Sequence, residues 1–242
     1  MFKVIKNIRI NYKTYGEGQD IVLLHGWGQN IAMMEPIAKK IEGNYRITII
    51  DLPGFGLSNE PDKAYSVYDY VDFLCAFFKE LNIKKPILIG HSFGGRLSII
   101  YGSKYDTRKI VLLGSPCVRH EYKSLKQSLL KFFKKLKIFN PLVNYIKKHS
   151  GSEDYRNATP IMREVLVKTV NEDLSECAKK VKCHCLLIWG DNDTAVPVEH
   201  ARELDALLEN SKLVVLPGTH YCYLENISEV GKMIDEFVKE EV

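Results

Sequence analysis

At 242 residues with 45% hydrophobic composition, the chain can bury one substantial core, and an α/β architecture of this length holds as a single domain. Met1 to Tyr15 carries no apolar stretch behind a basic start, so it is not read as a signal peptide, and no run approaches the roughly 18 apolar residues of a membrane span. Net charge is only +4, yet Cys117 to Ser150 holds eight Lys and one Arg against one Glu, so that segment is +8, the rest of the chain is −4, and the basic character is local.

In chain order, apolar runs bounded by turn residues predict strands at 2–6, 8–15, 20–25, 45–51, 86–91, 109–114, 184–190 and 212–217. The first two are close enough to form a hairpin, so the sheet should open antiparallel and continue parallel. Helical spacing marks 31–42, 66–81, 93–104, 198–208 and 227–240; Val67, Tyr70, Val71, Leu74, Phe77, Phe78 and Leu81 lie three and four apart, as on one helix face. The pattern is α/β: an eight-stranded, mostly parallel sheet with helices on both faces.

Residues 117–180 break this rhythm and read as a helical cap inserted into a core of 1–116 and 181–242. Leu125, Leu129, Phe132, Leu136 and Phe139 form one apolar stripe that Pro141 ends. Gly151 to Pro160 is turn-rich, and Ile161 to Leu174 reads as a second cap helix. Lys123, Lys126, Lys131, Lys134, Lys135 and Lys137 accompany the stripe. They suit a solvated helix face, an acidic protein or phosphorylated substrate carrier, or an anionic membrane surface. Nucleic acid is not expected, since no recognition module accompanies the charge.

Cys75, Cys117, Cys177, Cys183, Cys185 and Cys222 are scattered in a chain that needs no staples, which fits a reducing cytosol. Cys183-His184-Cys185 opens a strand, where alternation turns His184 away from both cysteines. A structural zinc wants four convergent ligands, so neither metal nor cofactor is expected.

Chemistry concentrates at strand ends. Gly90-His91-Ser92-Phe93-Gly94 follows the apolar run Pro86 to Ile89; a strand that breaks into Gly-x-Ser-x-Gly and then a helix exposes the Ser hydroxyl on a strained turn. Alone, such a Ser could be an ordinary helix N-cap. As a nucleophile it needs a base, and the base needs an orienting acid. His220 follows the strand Lys212 to Leu216, whereas His25 and His91, also at strand ends, suit hydrogen-bonded structural roles, and His120, His149, His184 and His200 fall in cap, strand or helix positions. Either Asp191 or Asp193, after the strand Cys185 to Trp189, could be the acid on position alone. An oxyanion would need two backbone N–H donors: Phe93, and Trp27 in the loop His25-Gly26-Trp27-Gly28. Asp51 with Pro53, Gly54 and Gly56 reads as turn chemistry.

Through these motifs, from His25-Gly26-Trp27-Gly28 and Asp51-Leu52-Pro53-Gly54-Phe55-Gly56 to Gly190-Asp191-Asn192-Asp193 and Gly218-Thr219-His220, nearly the whole chain resembles the α/β-hydrolase-fold proteins. The resemblance implies a Ser-His-Asp triad of Ser92, His220 and Asp193, with Asp193 preferred over Asp191 as the fourth position of Gly-x-x-Asp, and Trp27 as the residue after His-Gly. A serine elbow excludes the relatives that use aspartate (haloalkane dehalogenases, epoxide hydrolases) or cysteine (dienelactone hydrolases). The run His25 to Asn30 is similar to the start of the pimeloyl-acyl-carrier-protein methyl ester esterases, which also carry a basic helical cap; their elbow differs, with Trp where His91 stands.

The expected activity is therefore cleavage of a small-molecule carboxylic ester through an acyl-enzyme. Carbon–carbon bond or thioester hydrolysis would use the same residues. A carrier-protein-directed methyl esterase and a non-catalytic ligand receptor are the other readings.

Overall fold

Two residues of left-handed backbone start the sheet. Lys6 (φ 49°) and Asn7 (φ 64°) make a turn whose twist suits a two-residue hairpin, and it joins β1 (Phe2–Ile5) to β2 (Ile8–Tyr15) with Ile5 opposite Ile8. The computed structural model describes residues 1–119 and 158–240. Within them β3 (Gln19–Leu24), β4 (Tyr45–Ile50), β5 (Ile87–His91), β6 (Lys109–Leu113), β7 (His184–Gly190) and β8 (Ser211–Leu216) complete an eight-stranded sheet of order β1-β2-β4-β3-β5-β6-β7-β8. β2 also pairs antiparallel with β4, and every pairing from β4 through β8 is parallel.

Strand alternation explains the two layers of core. Val22, Leu24, Leu88 and Leu112 point to one face, while Ile21, Leu23, Ile87, Ile89, Val111 and Leu113 point to the other. The first face is covered by α2 (Val67–Glu80) and α3 (Phe93–Lys104), the second by α1 (Ile31–Ala38) and α8 (Ile227–Lys239). Both faces are apolar because both are covered. α4 (Pro160–Val170), α5 (Ser175–Ala178), α6 (Val198–Leu207) and α7 (Cys222–Glu225) are the remaining helices of the described residues.

α2 begins where its chemistry says it should: Ser66 Oγ accepts from Asp69 N at 3.2 Å and Asp69 Oδ2 accepts from Ser66 N at 2.7 Å, a reciprocal capping box. Val67, Tyr70, Val71, Leu74, Phe77 and Phe78 are buried along one face, as their spacing predicts.

Several boundaries differ from expectation by a physical cause. β3, β4 and β6 each stop one residue short, before His25, Asp51 and Gly114, because those residues leave the ladder for the loops that follow. α1 ends at Ala38 rather than 42: Lys40 N turns to Ile37 O at 2.9 Å, tightening the last turn. The helix expected to reach Leu174 stops at Val170, since Leu174 N–H goes instead to Cys117 O at 2.9 Å. The stripe from Leu125 to Phe139, Pro141, the turn-rich 151–157, His120, His149 and the lysines Lys123 to Lys137 lie outside the described residues. Among the described residues, no helix is long and apolar enough to cross a membrane.

Candidate active site

Ser92 stands between β5 and α3 with φ 47° and ψ −107°, a conformation that non-glycine residues avoid and that costs about 1–3 kcal/mol unless its surroundings enforce it. Here they do. Ser92 N donates to Leu113 O at 2.8 Å, and Ser92 O accepts from Gly95 N at 3.1 Å and Arg96 N at 3.3 Å. The glycines are required by close approach: a Cβ on Gly94 would lie 2.2 Å from Leu24 O, and one on Gly90 2.5 Å from the carbonyl carbon of Gly94. α3 can thus fold back tightly on β5 and β3, leaving the Ser92 side chain to project from the turn.

Parallel order carries the other groups to the same edge, since β5, β6, β7 and β8 are consecutive neighbours. Asp193 lies after β7 and His220 after β8. His220 Nδ1 and Asp193 Oδ2 are 2.7 Å apart, and the Asp193 side chain is fully buried. Its second oxygen, Oδ1, accepts from Ala195 N at 2.9 Å and Val196 N at 2.8 Å, which aims the carboxylate inward. Asp191 faces elsewhere: its Oδ1 accepts from Gly218 N at 3.0 Å and Asn192 Nδ2 at 2.8 Å. It pins the loop that carries His220. Glu225 pins the same loop, accepting from Thr219 N and Oγ1 at 2.8 and 2.6 Å.

Gly114 brings these two halves together. A Cβ there would lie 3.1 Å from His220 Nδ1 and 3.4 Å from Asp193 Oδ2, so the His–Asp pair sits on the end of β6. The residue before it, Leu113, holds the Ser92 N–H. Gly114 belongs to none of the sequence motifs; its one signal there is a glycine directly after a core strand.

Trp27 lies in the loop after β3, the strand next to β5. Phe93, as the first residue of α3, has an N–H that a helix leaves without an intrahelical acceptor. Gln29 ties the Trp27 loop to the elbow: its Oε1 accepts from Gly26 N at 2.9 Å and lies 3.0 Å from His91 Nδ1, while His91 Nε2 lies 3.1 Å from His220 O. No spacing rule pointed to Gln29. Two facing oxygens favour a doubly protonated His91, but burial opposes the charge and outweighs them, and His220 adds to the effect, pulling His91 down to about 3. His25 is also buried and neutral, lowered to about 4 chiefly by desolvation; Nδ1–H donates to Gly26 O at 2.6 Å and Nε2 accepts from Leu52 N at 3.0 Å.

These two rings predict an acid-side instability. In the unfolded chain both take a proton near the ordinary 6.5, and in the fold only near 4 and 3. Between those limits the unfolded state binds more protons, so stability is full above pH 6.5 and falls as pH drops toward 4 and then 3, by about 1.4 kcal/mol per pH unit for each ring. Urea midpoints measured from pH 7 to pH 5 should decline, and His25→Gln should flatten the decline. An unchanged midpoint over that range would contradict neutral, buried rings.

Beneath the loops lies an aromatic cluster. Trp27 meets Phe55 edge-on at 4.9 Å and Phe93 at 5.7 Å, and Tyr70 meets Phe93 at 5.1 Å. Met162 of α4 covers Gly54, where a Cβ would come 2.4 Å from its Sδ. Asp51 is turn and loop scaffolding: its carboxylate accepts from Ile31 N at 2.7 Å, Asn11 Nδ2 at 2.8 Å and Leu57 N at 2.9 Å.

The family described as the alpha/beta hydrolase fold matches residues 21–140, from β3 through the elbow and beyond β6. The chain belongs to the alpha/beta hydrolase superfamily. It is 24% identical to the AB hydrolase superfamily protein YisY of Bacillus subtilis (strain 168), over 97% of both chains. It is 26% identical to the pimeloyl-[acyl-carrier protein] methyl ester esterase of Proteus mirabilis (strain HI4320), over 96% of both. An esterase from Exiguobacterium antarcticum has the same fold, with a TM-score of 0.78 at 22% identity and 99% of both chains covered. Membership of this hydrolase superfamily supports hydrolytic activity.

Proposed function

We propose that this alpha/beta hydrolase cleaves a carboxylic ester in two steps through an acyl-enzyme. The observation that carries the reading is the buried 2.7 Å His220–Asp193 pair, set on Gly114 beside the strand end that holds Ser92. In the first step Ser92 Oγ attacks the ester carbonyl and His220 Nε2 takes its proton, then delivers it to the departing alcohol oxygen. Asp193 keeps the Nδ1–H tautomer and steadies the imidazolium. The N–H groups of Trp27 and Phe93 hold the oxyanion. In the second step water attacks the acyl-enzyme by the same proton route, releasing the acid and restoring Ser92.

Trp27, Phe55, Phe93 and Met162 belong to one apolar cluster, which suits an uncharged acyl group of medium size. On this reading α4, whose Met162 lies against Gly54, forms part of the roof over it. Six free thiols suit a cytoplasmic setting. Incubation with a fluorophosphonate should label the folded protein at a single serine, and p-nitrophenyl esters should be turned over. Absence of both would overturn the reading, whereas cleavage of 1,3-diketones in preference to esters would move it to carbon–carbon hydrolysis.

A second reading has its own support. Several relatives are pimeloyl-[acyl-carrier protein] methyl ester esterases, and the segment Lys123 to Lys137 is strongly basic. On this reading the lysines dock an acidic carrier. Charge reversal at Lys134 and Lys135 should then raise KM for a carrier-bound methyl ester about tenfold and spare small esters. Equal effects on both substrates would count against it.

A further inference from the structure

Arg96 is a buried cation in the first turns of the helix that carries Ser92, and its partners lie outside that helix. Only 6% of it is exposed. One terminal nitrogen donates to Pro116 O, just past β6; the other donates to Thr169 O at 2.8 Å and Glu172 O at 2.7 Å, at the end of α4. Its Nε is buried with no hydrogen-bond partner among the described residues. Burying a guanidinium against main-chain carbonyls costs free energy that an apolar side chain of similar volume would not. What the guanidinium supplies in return is geometry: a planar fork with fixed donor directions, at a helix terminus whose carbonyls and dipole favour a cation.

The three carbonyls fall on the two strands of chain where residues 117–180 leave and rejoin the core. Leu174 N to Cys117 O, at 2.9 Å, links the same two strands to each other. Arg96 is itself bonded through its N–H to Ser92 O at 3.3 Å. One residue therefore joins the nucleophile turn to both roots of the cap. At the start of α4 its N-cap Thr159 donates through Oγ1 to Glu60 at 3.1 Å, and near its end Lys168 Nζ donates to Ala64 O at 2.8 Å, but both contacts are exposed. Arg96 is the buried one of these three side chains, and Met162 and Val165 of α4 are buried in the core.

We propose that Arg96 is a positioning residue that sets the roof of the acyl pocket, selecting acyl length by holding α4 in register with the nucleophile helix. This rests on the ester-hydrolase reading above. The Arg96 guanidinium is taken up by main-chain carbonyls, so on this proposal its loss should spare short acyl groups and penalise those long enough to reach α4.

The test compares wild type, Arg96→Met and Arg96→Lys by hydrogen exchange over 159–178, by fluorophosphonate labelling, and by kinetics on p-nitrophenyl acetate and octanoate. Arg96→Met should exchange faster in that segment, label as wild type does, keep acetate turnover within about twofold, and raise KM for octanoate about tenfold with little change in kcat. Arg96→Lys, with one ammonium for three carbonyls, should move the same way by less, and it decides the question if the Met variant does not fold. Unchanged exchange in a folded variant, or faster exchange with an unaltered octanoate-to-acetate ratio, would overturn the proposal. Failure of the ester reading would look different: wild type itself would neither label nor hydrolyse either ester, and the roof would then have no acyl group to select.

Discussion

Ser92→Ala is expected to reduce ester turnover by about a million-fold, the scale seen when a triad nucleophile is removed, and to abolish fluorophosphonate labelling. The fold should survive the change. A Ser at the start of a helix commonly accepts a hydrogen bond from the first-turn N–H groups, but the Ser92 side chain makes no such cap bond. Its strained backbone is held instead by Leu113 O and the tight glycine contacts, all of which remain in the variant. Circular dichroism and the urea midpoint should therefore match wild type. Retention of more than about one per cent of turnover would remove Ser92 from the mechanism.

Asp193→Asn should cost about ten-thousand-fold in kcat. An amide in place of the carboxylate favours the wrong imidazole tautomer and withdraws the charge that steadies the imidazolium. Asp191→Asn should cost far less, about tenfold or below, because Asn can still offer an oxygen to Gly218 N and the His220 loop keeps its bonds to Glu225. The pH profile separates the two further: in Asp193→Asn the acid limb of kcat should move, since that limb reports the base, whereas Asp191→Asn should leave it in place. A larger loss in Asp191→Asn would exchange the two roles.

Much of the fold was legible because the central parallel strands are short apolar runs, β2 alternates apolar and polar residues, and each large helix has its own spacing. The elbow was legible for a related reason: Gly90, Ser92 and Gly94 are close in sequence and directly follow an apolar run, so the motif shows before its partners Leu24 and Leu113 are known. The choice between Asp191 and Asp193 was different. Both follow β7 within three residues, and only the turn decides which carboxylate points inward, through the N–H groups of Ala195 and Val196. Position in the sequence leaves that direction open. Gln29, Gly114 and Arg96 were harder still, since each acts on partners more than 50 residues away. An isolated Arg reads by default as a solvated surface group, and the sequence of α3 does not say which carbonyls, on residues far along the chain, enclose its guanidinium.

The strand order has a consequence for synthesis. Ser92 and Trp27 directly follow β5 and β3, at the centre of the sheet, while Asp193 and His220 hang from β7 and β8, at the edge made after them. A chain emerging from the ribosome and folding from its amino terminus forms the turn and the amide pocket first. On the proposed assignment, the hydroxyl then waits with no base to activate it until β8 and the loop that carries His220 have been made. On that assignment nascent protein is inert toward esters, and the ability to react appears only when the outermost parallel strand, β8, closes onto the rest.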